Sequence, residues 1–504
     1  MSVPAKNAYS RVFLIERRAR GDRAPVYHSS LIAGSVEQSF GDIEKIEVPD
    51  PDKYGEFMEI GEIRGGEERA TTSLTGRYAA DLASELLRLA KIKCASDMQI
   101  HFGACQNPAD FNNFSKAIIL ENAQLSSVST DELGTLESGD QAAVNESAEI
   151  SAGNWYEVLP LKFTERAASV VANEVVDVVI ADAIGCGECD DESDGCSKVY
   201  AVTLTAAGGS PGTPADLLYS PDGGATWYAT DIDNLTTVSE PTGVAIVGDY
   251  VVVVSNDEGS HQYLLKSELA GLVNATADPG FSALITTGYN GSGPPNDIWS
   301  IGQSAYIVGD AGYIYKLTDP TGGVTVLDAG NATAEDLGCV HAPNSTLAIA
   351  GGAAGAVVYS VDAGVSWAAV AVAPSASVIN AVWMLSSREF WVGDAAGSLF
   401  YTTDQGASWT EKTFNGSGSG VVHDLAFSTD SIMFVSHATT APLGRLLRSY
   451  DGGYSFVVLP EGVGSLTDND RLTAIATCKL DANLLIAGGA AVIAADGIIL
   501  RGVD

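Results

Sequence analysis

Between residues 161 and 504 the apolar positions come in short runs of Val, Ile, Leu, Ala and aromatic residues, each bounded by Gly, Asp, Ser and Thr. Runs this short, closed by turn formers, predict strands rather than helices. They also come in pairs. Glu389–Asp394 is followed by Gly397–Thr402, Ala305–Asp310 by Gly312–Asp319, Tyr250–Ser255 by Gln262–Leu269, and Leu484–Gly488 by Gly497–Asp504. Before residue 160 the pattern differs. Apolar and charged residues alternate loosely from Leu31 to Ile63, predicting strands at Ile43–Val48 and Phe57–Ile63 around a Pro-Asp turn at 49–55. Tyr78, Leu82, Leu86, Leu89 and Ile92 then form a helical stripe, predicting one amphipathic helix over Gly76–Lys93 with Thr75 as its N-cap. Strands are expected again at Met98–Phe102, Ala117–Leu125 and Trp155–Leu159. The change of pattern sets a domain boundary near Pro160. The first domain reads as a β-sandwich-like α+β unit with one helix.

The second part repeats. Ser220, Asp222, Gly224 and Trp227 stand at the spacing Ser/Thr-x-Asp-x-Gly-x-Ser/Thr-Trp/Phe. The spacing recurs at Ser360, Asp362, Gly364 and Trp367, at Thr402, Asp404, Gly406 and Trp409, and at Ser449, Asp451, Gly453 and Phe456. This Asp-box is turn chemistry: the carboxylate accepts backbone N–H groups, the Gly takes positive φ and the aromatic ring packs against a neighbour. Degenerate copies place the same position at Leu269, Asp319 and Asp504, so the unit recurs every 40–50 residues. That period with short strands predicts propeller blades. Seven hairpins predict seven blades, with a six-bladed ring the weaker alternative. Because the seventh hairpin ends at Asp504, the outer strands of its blade are expected from residues 161–183, through Ala167–Ala172 and Glu174–Ile180. Such a closure leaves no free sheet edge.

Charge narrows the function. The chain has 504 residues, 27 Lys+Arg against 64 Asp+Glu and a net charge of −37. A surface that coats nucleic acid needs the opposite sign. Glu37, Asp42, Glu44, Glu47, Asp50, Asp52, Glu56, Glu59 and Glu62 crowd the first predicted strands. They read either as a solvated acidic face or as a lining that repels phosphates and lets DNA slide. No run of about 18 apolar residues is present, the best stretch being Leu484–Ala495, so no membrane span is expected. The N-terminus lacks an apolar signal core, so synthesis in a cytoplasm without signal-directed secretion is expected.

Residues 161–504, through their four strict boxes, resemble the Asp-box propellers, a group that includes sialidases, sortilin-type receptors and photosystem assembly factors. The resemblance implies a propeller and leaves function open. A sialidase would need an arginine triad, an acidic acid/base and a Tyr–Glu pair. Arg occurs here only at 166, 388, 445, 448, 471 and 501, and no Arg-Ile-Pro motif precedes the first blade. The first 160 residues, from Leu31–Val36 through Ile43–Tyr54 to Arg77–Leu82, resemble in element order the tail-tube proteins of long-tailed bacteriophages. That resemblance implies a virion subunit that polymerises into stacked rings, hexameric or trimeric, around a channel for genomic DNA. The propeller would then be an external decoration that binds a surface glycan or host protein. The alternatives are a glycan- or protein-binding propeller on an unrelated adaptor, and a glycan-active hydrolase. The leading expectation is no enzyme, no cofactor and no metal.

Two minor constellations remain. Cys186, Cys189 and Cys196 bracket the acidic run Asp190–Asp194 and admit a loop disulfide, free thiols or part of a zinc site. Position 12 counted from Asp190 is Ala201, which excludes an EF-hand. His101 and Cys105, with Cys94 upstream, read as core packing ahead of a metal site.

Overall fold

A computed structural model describes residues 10–15, 26–39, 44–49, 57–63, 70–77, 96–102, 114, 116–130, 145–152, 154–159, 162–166, 174–181, 198–203, 216–231, 241–256, 262–269, 282–283, 293–318, 323–414, 418–439, 444–458, 471–478, 484–490 and 497–503. The chain forms two compact units, Met1–Pro160 and Leu161–Asp504.

In the first unit, antiparallel pairing runs from Ser96–Phe102 through Ser10–Ile15, Val26–Ser39, Ala70–Arg77 and Asn145–Ala152 to Lys116–Thr130. Lys116–Thr130 then pairs back onto Ser96–Phe102, which closes the circuit into a barrel. The six strands of that circuit are each paired on both sides, so the unit is a barrel where a β-sandwich-like α+β unit was expected. Asn154–Val158 continues along Lys116–Thr130 beyond Asn145–Ala152. Ile100, Ile119, Leu120, Ile150 and Val158 are fully buried. Among the described residues, Glu44–Pro49 and Phe57–Ile63 pair only with each other, as a separate hairpin. The expected helix cannot begin at Gly76. Thr75, Gly76 and Arg77 belong to the strand Ala70–Arg77, where Thr75 pairs with Ser147 and cannot cap a helix. The remainder of that stretch, 78–93, lies outside the described residues.

The second unit holds seven four-stranded antiparallel sheets among the described residues. Their first strands are Val175–Ile180, Pro241–Val247, Pro295–Ile301, Leu337–Asn344, Ile379–Met384, Val421–Phe427 and Arg471–Thr477. Each touches the next, and Arg471–Thr477 touches Val175–Ile180, so the sheets form a ring: a β-propeller. Apolar side chains fill the gaps between sheets. Val175, Leu218, Ile486 and Ile499 form one such core, and Ile307, Tyr315, Val252 and Val254 another.

Six sheets are simple meanders, and the seventh is composite. Lys162–Arg166 pairs with Gly497–Val503 in the register Lys162↔Val503 to Arg166↔Ile499, outside Leu485–Ala490 and Arg471–Thr477. The closing element is narrower than 161–183. Val175–Ile180 pairs with Val199–Thr203 and opens the next sheet, because its Val-rich sequence suits an inner strand covered on both faces. Residues 167–173 lie outside the described residues.

All seven first strands carry a register shift at the same point, between Val175/Asp177, Pro241/Gly243, Pro295/Asp297, Leu337/Cys339, Ile379/Ala381, Val422/Asp424 and Leu472/Ala474. A bulge re-aims the residues at the shift. Here it does so once per sheet, around the axis.

Candidate functional site

The four Asp-boxes share one hydrogen-bond pattern. In the first, Ser220 Oγ donates to Asp222 Oδ1 (2.9 Å) and accepts from Gly224 N–H (2.8 Å). Thr226 donates its N–H to Asp222 Oδ1 (2.7 Å) and its hydroxyl to Oδ2 (2.7 Å). The same set recurs around Asp362, Asp404 and Asp451. The bonds engage both carboxylate oxygens within the turn. Gly224, Gly364, Gly406 and Gly453 hold φ between +79° and +87°, and each faces a side chain of the preceding sheet: Ile486, Leu327, Val370 and Trp391.

Environment separates the four carboxyls. Asp404 is pulled down to about 2, first by the Ser408 hydroxyl and amide and then by Thr402. Asp362 is lowered by the matching bonds from Ser366 and Ser360. For Asp222 burial opposes, but the bonds from Thr226, Ser220 and Ala225 prevail and the carboxyl is lowered. Asp451 is raised, because burial outweighs its bonds. The rings differ too: Trp227 and Trp367 are buried, whereas Trp409 and Phe456 are half-buried. Leu269 is half-buried against the neighbouring core, while Asp319 and Asp504 lie outside the described residues.

The site that sequence reasoning missed lies on the ring axis. A channel of about 510 Å³ is lined by the first strands of all seven sheets. Asp177, Asp297 and Asp424 border it, each just past a bulge. Each carboxylate spans a sheet junction. Asp177 accepts from its neighbour Val178 (2.7 Å) and, across the gap, from Val244 (2.8 Å). Asp297 accepts from Ile298 (2.7 Å) and Val340 (2.8 Å), and Asp424 from Leu425 (2.7 Å) and Ile475 (2.7 Å).

Other polar residues at the bulges bridge the remaining junctions through carbonyls. Thr242 donates to Pro295, Asn380 to Val422 and Thr473 to Val175, while Asn296 adds a bond to Leu337 across the junction that Asp297 already spans. The Cys339 thiol donates weakly to Ile379 (3.5 Å). Every neighbouring pair of sheets is thereby tied at the same height. The available signal was an Asp inside an otherwise apolar strand, as in Val175-Val-Asp-Val-Val-Ile180. A charge there is unexpected unless it meets backbone donors.

Burial pushes the Asp177 carboxyl up to about 6, against the pull of its two N–H donors. Burial also drives Asp424 up to about 7, with the Asp177 charge adding to it. Asp297 rises well above the ordinary carboxylate range, first through burial and then through the charge of Asp177, with Asp424 contributing less. Beyond the carboxylates stands an aromatic cluster. His341 stacks on Trp383 at 3.9 Å, Trp299 meets both edge-on, and Phe427 lies 5.8 Å from Trp383. Trp299 donates its indole N–H to Ala342 carbonyl (3.0 Å), and His341 Nδ1 accepts from Met384 N–H (3.0 Å).

Among the described residues no three His, Cys, Asp or Glu side chains come together to hold a metal ion. Cys186, Cys189 and Cys196 lie outside the described residues, as do Cys94 and Cys105. Cys339 is a buried free thiol and Cys478 is disulfide-bonded. His101 is buried, bonded to Gln99 (2.9 Å) and packed on Phe114. Of the arginines set against a sialidase triad, Arg448 is fully buried between Phe434 and Tyr450, Arg471 pairs with Glu174 (2.6 Å), and Arg501 Nε donates to Gly223 carbonyl. No helix among the described residues is long and apolar enough to cross a membrane.

No protein-family profile matches the chain, and no curated protein does. Among solved structures the chain is similar to YCF48 from Cyanidioschyzon merolae, at 16% identity and a TM-score of 0.49, over 68% of this chain and 98% of that one. A structure of YCF48 bound to D1 peptide gives 16% identity and 0.49, over 69% and 98%. The WD40 β-propeller domain of Doa1 gives 10% identity and 0.47, over 68% and 96%.

Proposed function

We propose that the chain is a non-enzymatic structural protein of a virion, in which residues 1–160 self-assemble and a seven-bladed propeller is displayed. In this reading residues 1–160 are a tail-tube-type subunit that stacks in rings around a DNA channel. The observation that carries it is the closed barrel with one separate hairpin, Glu44–Pro49 with Phe57–Ile63. The closed circuit offers no place to add a strand, so contact between subunits falls to what lies outside it: this hairpin and Asn154–Val158, which is paired on one side only among the described residues. The stretch around it carries the nine acidic residues from Glu37 to Glu62, which suits a surface that must not adhere to DNA. Negative-stain microscopy and light scattering of the purified full chain test the reading. Rings or tubes are expected, and a strictly monomeric chain at high concentration would overturn it.

A second reading, a binding propeller on an adaptor, is favoured by the half-buried Trp299 beside Trp383 at the channel wall. Aromatic rings at a concave site suit a glycan or a peptide side chain. In that case the chain stays monomeric and is retained by a glycan or peptide array, with retention lost in Trp299→Ala.

A further inference from the structure

The seven register shifts bring corresponding residues to one level of the channel. Two positions past the shift, counting sheets from the one opened by Val175–Ile180, the third, fourth and fifth carry Trp299, His341 and Trp383. At the same level the second, sixth and seventh carry alanine and the first carries Val179. Three neighbouring sheets thus give the channel an aromatic side, and small side chains stand at that level on the other four. Trp299 and Trp383 line the space, while His341 stacks on Trp383 and meets Trp299 edge-on, which fixes both indoles from behind. The bond from the Trp299 indole N–H to the Ala342 carbonyl (3.0 Å) holds the half-buried ring in place at the wall. The aromatic side is therefore set before any ligand arrives.

The channel's volume of about 510 Å³ suits a side chain with its flanking backbone, within the range of about 300–1,000 Å³ usual for ligand sites. Its chemistry selects the occupant. Thr242, Asn380 and Thr473 already donate to carbonyls of neighbouring sheets, and each channel carboxylate already accepts two backbone N–H groups. A sugar, whose hydroxyls need several directed partners, would compete with those bonds. A cation needs only the field of the carboxylates and the face of a ring. No Lys or Arg stands among the described residues lining the channel, and burial and then Arg471 favour the neutral form of His423. Asp177, Asp297 and Asp424 are half-buried, and burial raises all three carboxyls, so a bound cation supplies the charge that the lining lacks. Guanidinium fits better than ammonium, because it is more weakly hydrated and stacks on aromatic faces. We propose that the aromatic side of the channel, at Trp299 and Trp383, is a docking pocket for an arginine side chain on a peptide segment of a partner protein. The proposal rests on the binding-propeller reading and gives it a ligand class.

Calorimetric titration of the full chain with the end-blocked peptide Gly-Ser-Arg-Ser-Gly tests the pocket. The control is the same peptide with citrulline, which keeps the shape of arginine and removes its charge. The arginine peptide should bind, and the citrulline peptide should bind about tenfold less tightly. Added salt should weaken the arginine complex, and Trp299→Ala should weaken it about tenfold. Should Trp299→Ala fail to fold, Trp299→Phe keeps a ring at the junction and should still lose affinity severalfold, because phenyl is the poorer partner for a cation. Arginine and citrulline peptides bound equally well would overturn the proposal and leave the binding-propeller reading with a neutral ligand. An arginine peptide bound as tightly by both Trp299 variants would also overturn it, by placing the charge recognition elsewhere on the acidic surface. So would no binding of the arginine peptide beside Trp299-dependent retention of a glycan or an uncharged peptide on an array, an outcome that spares the reading. Retention of nothing on the array, with no binding of the arginine peptide, would remove both.

Discussion

The indole of Trp391 lies against the backbone of Gly453, one sheet further round the ring. A Cβ built on Gly453 would meet the Trp391 ring at 2.2 Å, and Gly453 holds φ at +87°. Two independent constraints thus fix one glycine. Trp391 is itself fully buried, 4.6 Å from the Tyr401 ring.

Gly453→Ala should therefore destabilise the propeller well beyond the strain of its backbone angle alone. Left-handed geometry costs about 1–2 kcal/mol for a residue with a Cβ, and overpacking adds about 1–3 kcal/mol. Gly302→Ala is the control, because Gly302 has φ +61° and nothing within 4 Å. Denaturant melts of the full chain should place Gly453→Ala clearly below Gly302→Ala. Equal midpoints would mean that Trp391 moves aside freely.

Ring closure gives the next expectation. Lys162–Arg166 is the outermost strand of the composite sheet and pairs along its length with Gly497–Val503. Deleting 162–166 should expose that strand as a free edge, lower the melting midpoint and promote aggregation. Size-exclusion chromatography after mild heating would report it, and a deletion variant that stays monodisperse and melts like the wild type would remove the role of closure.

The propeller was legible because its information is local and repeated. Each box writes its turn in eight consecutive residues, and the strands alternate with turns at a fixed period. The closing strand was legible only in outline. Residues 161–183 read as strands through Ala167–Ala172 and Glu174–Ile180, and nothing in the sequence singles out Lys162–Arg166 as the strand that closes the sheet or says which sheet Val175–Ile180 joins. The axial carboxylates were invisible for the same reason. Asp177 takes its meaning from Val244 N–H, which lies 67 residues further on and across a junction. In the first unit, Thr75 and Gly76 resemble a helix start in isolation, but eight residues of pairing with Asn145–Ala152 override that local preference.

Acid should act on the boxes in the opposite sense to the channel. Asp404 titrates near 2 in the folded chain, against an unperturbed value of 3.8. A depressed carboxyl contributes stability that is present above its unfolded value and is lost as pH falls through the folded one. The channel groups are raised to about 6 at Asp177 and about 7 at Asp424, so what they contribute is present in acid and fades as pH rises through those values. The melting midpoint should then be highest between the two windows. Asp404→Asn should flatten only the acid limb, which a series of melts from pH 2 to 5 would reveal. An unchanged acid limb would show that Asp404 is not depressed.

The four boxes are chemically alike but unequally buried, and burial sets the expected order of their variants. Asp451 is about 1% exposed, and its raised carboxyl sits among Ser449, Tyr454 and Ser455 donors. Asp451→Ala leaves the fully buried Ser449 hydroxyl without this acceptor and out of reach of water, a loss of about 1–3 kcal/mol, while the Tyr454 and Ser455 donors are only partly covered. In the box of Asp362 the freed Ser366 donors lie at the surface, where water replaces the lost bonds, so Asp362→Ala should be milder. The rings follow the same logic. Trp367 is buried against Tyr306, and Trp367→Ala should cost about 3–5 kcal/mol as a large core truncation. Trp409 is half-buried and its indole N–H donates to Val372 carbonyl (2.8 Å). Trp409→Phe keeps most of the packing and forfeits that bond, about 0.5–1.5 kcal/mol. Chemical melts should rank Trp367→Ala as most harmful, then Asp451→Ala, with Trp409→Phe and Asp362→Ala least. If Asp362→Ala proves as damaging as Asp451→Ala, burial is not what distinguishes the boxes, and a ligand held by the exposed carboxylate becomes the explanation to pursue.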